Sequence, residues 1–262
     1  MLPKILFLDI ETAPSTAYVW GMYDQNINPI QVIQPGYVLC WSAKWADKKE
    51  KMFDSIFNHK DLFKKDPECD YHIAQSLWKI LDEADIVIAH NGDDFDLKWA
   101  NTIFLKNGLT PVSSYKSIDT LKEARTNFKF LSNKLEYLIK DLALGEKLKT
   151  SGFDLWIKCM KGDPTAWKEM ERYNKRDVDI LEELYKVMKP FMKRHPKLSL
   201  YFDKEDIMCN NCASTKLQKN GFAYTSGNKY QRYVCTECGA NCRSKTSLLT
   251  KGKIKSITND CL

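Results

Sequence analysis

The chain has 262 residues, 44% of them hydrophobic and 12% aromatic, with a formal net charge of +6. This length accommodates one medium domain and one small one, and the apolar content, with seven Trp and twelve Phe, excludes a disordered polymer. No apolar run approaches the ~20 residues that span a bilayer, and the opening MLPKILFLDIET has too short an apolar stretch for a secretory leader.

Residues 4–10, KILFLDI, form a continuous apolar run ending in an acid, which predicts a strand buried on both faces. Residues 37–46 and 51–57 predict two further strands joined by the charged turn DKKE. Between Asp70 and Ala84 the apolar residues Ile73, Leu77, Ile80 and Leu81 recur at helical spacing. A short strand at 86–90, IVIAH, a Gly-Asp turn and a helix from about Phe95 to Lys106 come next, with Gly108 as its C-cap. Residues 119–143 read as broken helical pieces. The segment GDPTAW starts a long helix with Asp163 as N-cap and Pro164 at the first helical position, running to about Met188 and stopping at Pro190. Three strands, a helix, a strand and further helices imply an α/β layer fold with a mixed sheet over residues 1–195. The stretch around 194–206 reads as a linker to a small C-terminal domain at 205–262.

Charge divides the chain unevenly. From Cys209 onward nine Lys/Arg face two acids, a local charge of +7, which leaves the rest at −1. A basic end of this kind suits a polyanion. The same end holds Cys209-x2-Cys212 and Cys235-x2-Cys238, separated by 22 residues. Two tight CxxC knuckles supply four thiolates for tetrahedral Zn²⁺, and the intervening alternation of aromatic and polar residues around Gly227-Asn228 reads as a hairpin, so the module reads as a zinc ribbon. Cys242 is an alternative to Cys238. Cys40, Cys69 and Cys159 are scattered, so thiols and zinc together predict a reducing, cytoplasmic setting. Lys216, Lys219, Lys229, Arg232, Arg243 and Lys245, with Tyr224, Tyr230 and Tyr233, favour nucleic acid as the ribbon's partner, with a partner protein as the other reading.

Asp9, Glu11, Asp96 and Asp177 lie in three separate segments, ILFLDIET, AHNGDDFD and YNKRD. Asp9 and Glu11 are two apart and share a strand face. Tyr173 and Asp177 are four apart and share a helix face. Carboxylates that converge from distant segments suit hard cations such as Mg²⁺ or Mn²⁺. Trp20, Tyr23 and Trp41 are candidates for stacking on bases, with core packing as the expected use of Trp41. His90 reads as a strand-end residue.

The three segments resemble the Exo I, Exo II and Exo III motifs of the DEDD 3′–5′ exonuclease superfamily, in its tyrosine form. The spacing Asn91-x-x-x-Phe95-Asp96 is similar to that of family B DNA polymerase proofreading domains. The layout with a terminal ribbon resembles small exonucleases of phages and bacteria, which implies a bacterial or phage-infected cytoplasm. The resemblance covers roughly residues 1–190 and implies an RNase H-like fold, a mixed sheet flanked by helices. It implies a two-metal 3′–5′ exonuclease acting on single-stranded DNA and releasing nucleoside 5′-monophosphates. Asp9 would bridge both Mg²⁺ or Mn²⁺ ions. Glu11 and Asp177 would complete the site of the ion carrying the attacking water, and Asp96 would hold the second. Tyr173 would orient the water, Thr12 and Phe95 would meet substrate, and Asn91 would either hydrogen-bond substrate or hold its loop. Two rival readings are an exoribonuclease on the same site and a catalytically inert nucleic-acid adaptor.

Overall fold

The computed structural model describes residues 3–203 and 205–258. The chain divides into two compact units, residues 4–185 and a C-terminal unit from Lys186. In chain order the strands and helices are β1 (Ile5–Thr12), β2 (Thr16–Ala17), β3 (Val32–Gln34), β4 (Val38–Trp45), β5 (Lys51–Ser55), α1 (Lys60–Lys65), α2 (Tyr71–Asp82), β6 (Ile86–Ala89), α3 (Asp96–Lys106), β7 (Lys116–Asp119), α4 (Thr120–Asn127), α5 (Leu135–Asp141), α6 (Phe153–Met160), α7 (Pro164–Met188), β8 (Leu217–Thr225), β9 (Asn228–Cys235), β10 (Asn241–Arg243) and α8 (Lys251–Lys255).

The larger unit is built on a five-stranded sheet in the order β5-β4-β1-β6-β7. β1 pairs antiparallel with β4, and β4 with β5, while β6 runs parallel to β1 and β7 to β6. This is a mixed RNase H-like sheet flanked by helices, as the sequence implied. Alternation along β1 explains how the sheet is covered. Leu6, Leu8 and Ile10 point to one side and join the core with Ile73, Leu77, Leu81, Ile103 and Phe104 of α2 and α3. Trp41 of β4, opposite Ile10, lies on that side and donates its Nε1–H to the Ile73 carbonyl at 3.3 Å. Each such fully buried aliphatic side chain is worth about 1.5–3 kcal/mol relative to exposure. Phe7, Asp9 and Glu11 point to the other side. There Phe7 meets Tyr185 of α7 edge-on at 5.5 Å, and Lys44, opposite Phe7, pairs with Glu182 of α7. Lys51 of β5 pairs likewise with Asp179. The helix α7 therefore lies across the acid-bearing face of the sheet.

Several elements lie outside the sequence reading, among them β2, β3, α1, β7, α6, β10 and α8. β7 is a four-residue parallel strand, KSID, at the sheet edge, where helix had been expected to begin at 119. α6 packs Leu155 and Cys159 into the core. Asp163 caps α7 as expected, accepting the Thr165 and Ala166 amides at 2.7 and 3.3 Å.

The C-terminal unit holds a three-stranded sheet in the order β10-β9-β8. The residues between β8 and β9 are Ser226 and Gly227, since Asn228 already pairs with Thr225; the hairpin turn sits one residue before the expected Gly-Asn pair. Residues Leu198–Tyr201, expected to be linker, form a short 3-10 turn held by Leu198 N–H on the Asn210 carbonyl at 2.8 Å. Among the described residues, no helix is long and apolar enough to cross a membrane.

Candidate active site and zinc ribbon

The end of β1 delivers Asp9 and Glu11 to the face under α7, and α7 returns Asp177 to them. Carboxylate oxygens of these three residues all lie within 4.8 Å of one another. Three acids at that distance repel unless a cation or protons neutralise them. Burial drives the Asp9 carboxyl far above the usual carboxylate range, and Glu11, Asp177 and Asp96 push it further. Burial and then Asp177 raise Glu11 to about 8. Asp177 is raised by burial and drawn back by Lys147.

Asp96 opens α3 and is buried. Its Oδ1 accepts the Ile10 amide at 2.8 Å, tying the start of α3 to β1 one residue from both acids. Burial raises it to about 7 against that hydrogen bond. Asp96 is thus electrostatically part of the cluster while lying outside the tight trio.

The loop before α3 is shaped by two residues. Asn91 adopts φ +66°, a left-handed conformation that asparagine tolerates. At Gly92 a Cβ would fall 2.3 Å from the Ala89 Cβ, so only glycine fits. Asp119, at the end of β7, accepts the Asn91 amide at 2.9 Å and the Leu121 amide at 2.9 Å, coupling this loop to the cap of α4. Phe95 is the last residue before α3, and Thr12 ends β1 past a register shift after Glu11. His90 is neutral and structural: burial lowers it to about 4, and its ring bridges Thr120 and the Asn133 carbonyl.

Four residues that motif reading missed complete the site. Asn174, buried on α7, donates Nδ2–H to the Asp9 carboxylate, and its own Oδ1 is buried without a partner. Lys147, from the segment between α5 and α6, donates to Asp177 Oδ2 at 2.6 Å and to the Tyr173 hydroxyl at 3.3 Å. Trp156 of α6 lowers the Glu11 carboxyl slightly against its burial, and meets Tyr173 edge-on at 5.9 Å. Asp119 is the fourth. The i, i+3 spacing of Asn174 and Asp177 was the one available signal for any of them. The Tyr173 phenol is held protonated by burial and by Asp177, Glu11 and Asp9.

These donors fit a hard cation. Asp177 Oδ1 is buried without a hydrogen-bond partner, an arrangement that costs free energy unless a ligand meets it. Hard carboxylate oxygens are what Mg²⁺ and Mn²⁺ require.

The second cluster is formed by Cys209, Cys212, Cys235 and Cys238, whose sulfurs lie within 4.8 Å of one another. Both knuckles close alike: the Ala213 amide reaches the Cys209 carbonyl at 2.8 Å and the Gly239 amide the Cys235 carbonyl at 2.9 Å. Ala213 and Gly239 take φ +59° and +72° to do so. Burial raises the Cys235 thiol, but hydrogen bonding from the Cys238 and Glu237 amides and from the Cys212 and Cys238 thiols together brings it to about 7. Four such sulfurs fit tetrahedral Zn²⁺. Cys242 lies on β10 opposite Tyr233 and is not one of the four. Among the described residues, Ala240 and Leu217 join the cysteines in this small core.

Residues 6–189 match the family model described as the RNase H superfamily. The fold is also similar to that of the family B DNA polymerase from the hyperthermophilic archaeon Pyrobaculum calidifontis, with a TM-score of 0.50 and 13% identity over 72% of this chain. The chain spans about a quarter of that polymerase, 26% of its length. No curated protein matches the chain.

Proposed function

This chain belongs to the RNase H superfamily, and from that premise we propose that it is a metal-dependent 3′–5′ exonuclease. Its substrate is single-stranded DNA, and its products are nucleoside 5′-monophosphates. The observation that carries the reading is the convergence of Asp9, Glu11 and Asp177 within 4.8 Å, with Asp177 Oδ1 left without a partner. A fold of this class hosts many activities, so the site and not the fold is the argument.

Asp9, Glu11 and Asp177, with Asp96, hold two Mg²⁺ or Mn²⁺ ions. When bound, such ions lower the pKa of water and neutralise charge on the leaving 3′ oxygen. The protein supplies the rest. Asn174 fixes the Asp9 carboxylate, and Trp156 lies beside Glu11 and Tyr173. Tyr173, kept protonated beside Asp177, orients the attacking water through its hydroxyl. Asn91, Phe95 and Thr12 border the site from the β6–α3 loop and the end of β1, where a nucleotide would enter.

In the C-terminal unit, one Zn²⁺ on the four cysteines organises a basic ribbon, residues 205–262, that holds nucleic acid while residues 1–195 cleave it. Lys229 lies 3.8 Å from the Phe222 ring centroid and Arg243 4.2 Å from that of Tyr230, the aromatic-cationic pairing suited to nucleotides. Free thiols at Cys40, Cys69 and Cys159 fit a reducing cytoplasm.

The test is digestion of 5′-labelled single-stranded DNA, duplex DNA and RNA with Mg²⁺ or Mn²⁺. A ladder shortening from the 3′ end of single-stranded DNA, with mononucleotide products, is expected. Preference for RNA would make the enzyme an exoribonuclease, and absence of cleavage on every substrate would overturn the reading.

A further inference from the structure

Between β1 and β4 the chain leaves the sheet as an arm, residues 14–36, built on the two-stranded pair β2–β3. It is a formed element. The Tyr18 amide reaches the Gln31 carbonyl at 2.9 Å and the Gln31 side chain returns to the Tyr18 carbonyl at 3.0 Å. Asn28 and Gln31 cap the turn reciprocally. The large side chains nevertheless point away from any core. Trp20 is 98% exposed, Tyr23 86% and Tyr18 74%, with Met22 and Ile30 equally open. An apolar cluster of this kind on a protein surface marks a binding site.

Position and chemistry name the occupant. The arm is the direct continuation of the strand that carries Asp9 and Glu11. Its base is fixed: the Ala13 amide reaches the Tyr37 carbonyl at 2.8 Å, and a Cβ at Gly36 would meet the Ala13 carbonyl at 2.8 Å and Trp99 of α3 at 3.4 Å. The root thus lies between β1 and the helix that begins with Asp96. The arm carries one charged residue, Asp24, and five side-chain amides, at Gln25, Asn26, Asn28, Gln31 and Gln34. With no cation it cannot anchor on phosphates or on an anionic lipid surface. Open aromatic faces and neutral amides suit the faces and edges of unpaired bases.

We propose that this arm is a base-stacking platform that grips the unpaired strand beside the acid site. The inference rests on the nuclease reading for the identity of the strand, and it deepens that reading by placing single-strand preference in Trp20, Tyr23 and Tyr18. Paired bases, stacked inside a duplex, present no face to these rings.

The experiment uses the full chain in an Asp9→Ala background, with fluorescein-labelled dT20 and a blunt hairpin duplex as probes. Trp20→Ala/Tyr23→Ala should weaken dT20 binding by roughly tenfold or more, since each stacked base is worth that order of affinity. Duplex binding should hold, and Trp20→Phe should restore dT20 binding to within about threefold because a ring suffices for stacking. Both side chains are solvent-exposed, so their loss spares the core. In the otherwise unsubstituted chain, the same pair should slow digestion of a long single strand while leaving a dinucleotide, too short to reach the arm, cleaved as before. Unchanged dT20 affinity in the double variant overturns the proposal, as does a loss of self-association in its place, which would make the arm an interface between copies. A protein that cleaves nothing yet loses dT20 binding with these rings would overturn the exonuclease reading and leave the arm standing.

Discussion

The Lys147 ammonium donates to Asp177 Oδ2 at 2.6 Å and lies 5.3 Å from the centroid of the Tyr173 ring. It brings one positive charge to a site that four carboxylates share. Its field lowers Asp9, Glu11 and Asp177, each of which is raised first by burial. Lys147 therefore sets the pH at which the cluster can be emptied of protons, and metal binding requires that emptying.

Replacing Lys147 by Met should raise these carboxyls further. The acid limb of the activity–pH profile should move to higher pH, and Mn²⁺ affinity at pH 6.5, measured by calorimetry, should fall. An acid limb unchanged in position would show that Lys147 is not coupled to the metal site.

The same acids make stability depend on pH with a definite sign. Glu11 is raised from its ordinary 4.5 to about 8 and Asp96 from 3.8 to about 7. Between the unfolded and folded values the native state binds more protons than the unfolded one. The contribution of these two carboxyls to stability is therefore fully present below about pH 4 and is lost as pH rises through about 8. In magnesium-free buffer, with the ribbon kept zinc-loaded, the melting temperature should include a falling contribution across pH 5–8 that Asp9→Asn reduces. Added Mg²⁺ should stabilise more at pH 8 than at pH 5. Equal stabilisation at both pH values would contradict a proton–metal exchange at this cluster.

Tyr173 separates chemistry from binding. Tyr173→Phe keeps the ring against Trp156, 5.9 Å away, and removes only the hydroxyl. Single-turnover cleavage should slow, by roughly the 10²–10⁴-fold that positioned proton-transfer groups contribute. Mn²⁺ affinity and melting temperature should stay near those of the parent. An unchanged rate would assign this tyrosine to packing.

Much of this site was legible because its acids sit at the ends of strongly patterned elements. β1 begins with and β6 consists of a continuous apolar run, β4 is mostly apolar, and α7 carries both a start signal at Asp163-Pro164 and a stop at Pro190. What stayed hidden has no local signature. β7 is four residues with two exposed, and only its parallel pairing with β6 makes it a strand. Lys147 lies in an irregular segment whose meaning arises from α7, 30 residues on. Trp156 reads as a core aromatic until α6 is placed beside Glu11. Asp119 serves as N-cap, and its second task, the Asn91 amide 28 residues away, is visible only in three dimensions. Motif reading finds the clustered acids and misses the residues that hold them.

The ribbon should be a zinc-dependent fold. Among the described residues its core is the four cysteines with Ala240 and Leu217, too small to be stable without a staple. Chelation of Zn²⁺ should abolish amide-exchange protection across β8–β10 while β1, β4 and β6 stay protected. Retained ribbon protection in metal-free protein would mean that Zn²⁺ is not its organiser.

Arg232 and Arg243 stand directly opposite each other in the β9–β10 register. Like charges at opposed positions destabilise a sheet; Arg232 offsets this by donating to the Asn220 carbonyl at 2.8 Å, and Arg243 by lying 4.2 Å from the Tyr230 ring centroid. A phosphate received between them would neutralise the remaining repulsion. Arg232→Ala/Arg243→Ala should weaken nucleic-acid binding, with stability measured alongside because both side chains also have partners within the ribbon. Each phosphate no longer neutralised should make the slope of log affinity against log salt shallower by about 0.7 on a single strand. Measured in an Asp9→Ala background, the double variant, which loses one phosphate contact, should have a slope shallower by about 0.7. Equal slopes would mean that this face of the ribbon does not touch nucleic acid, and a protein partner would then be its expected occupant.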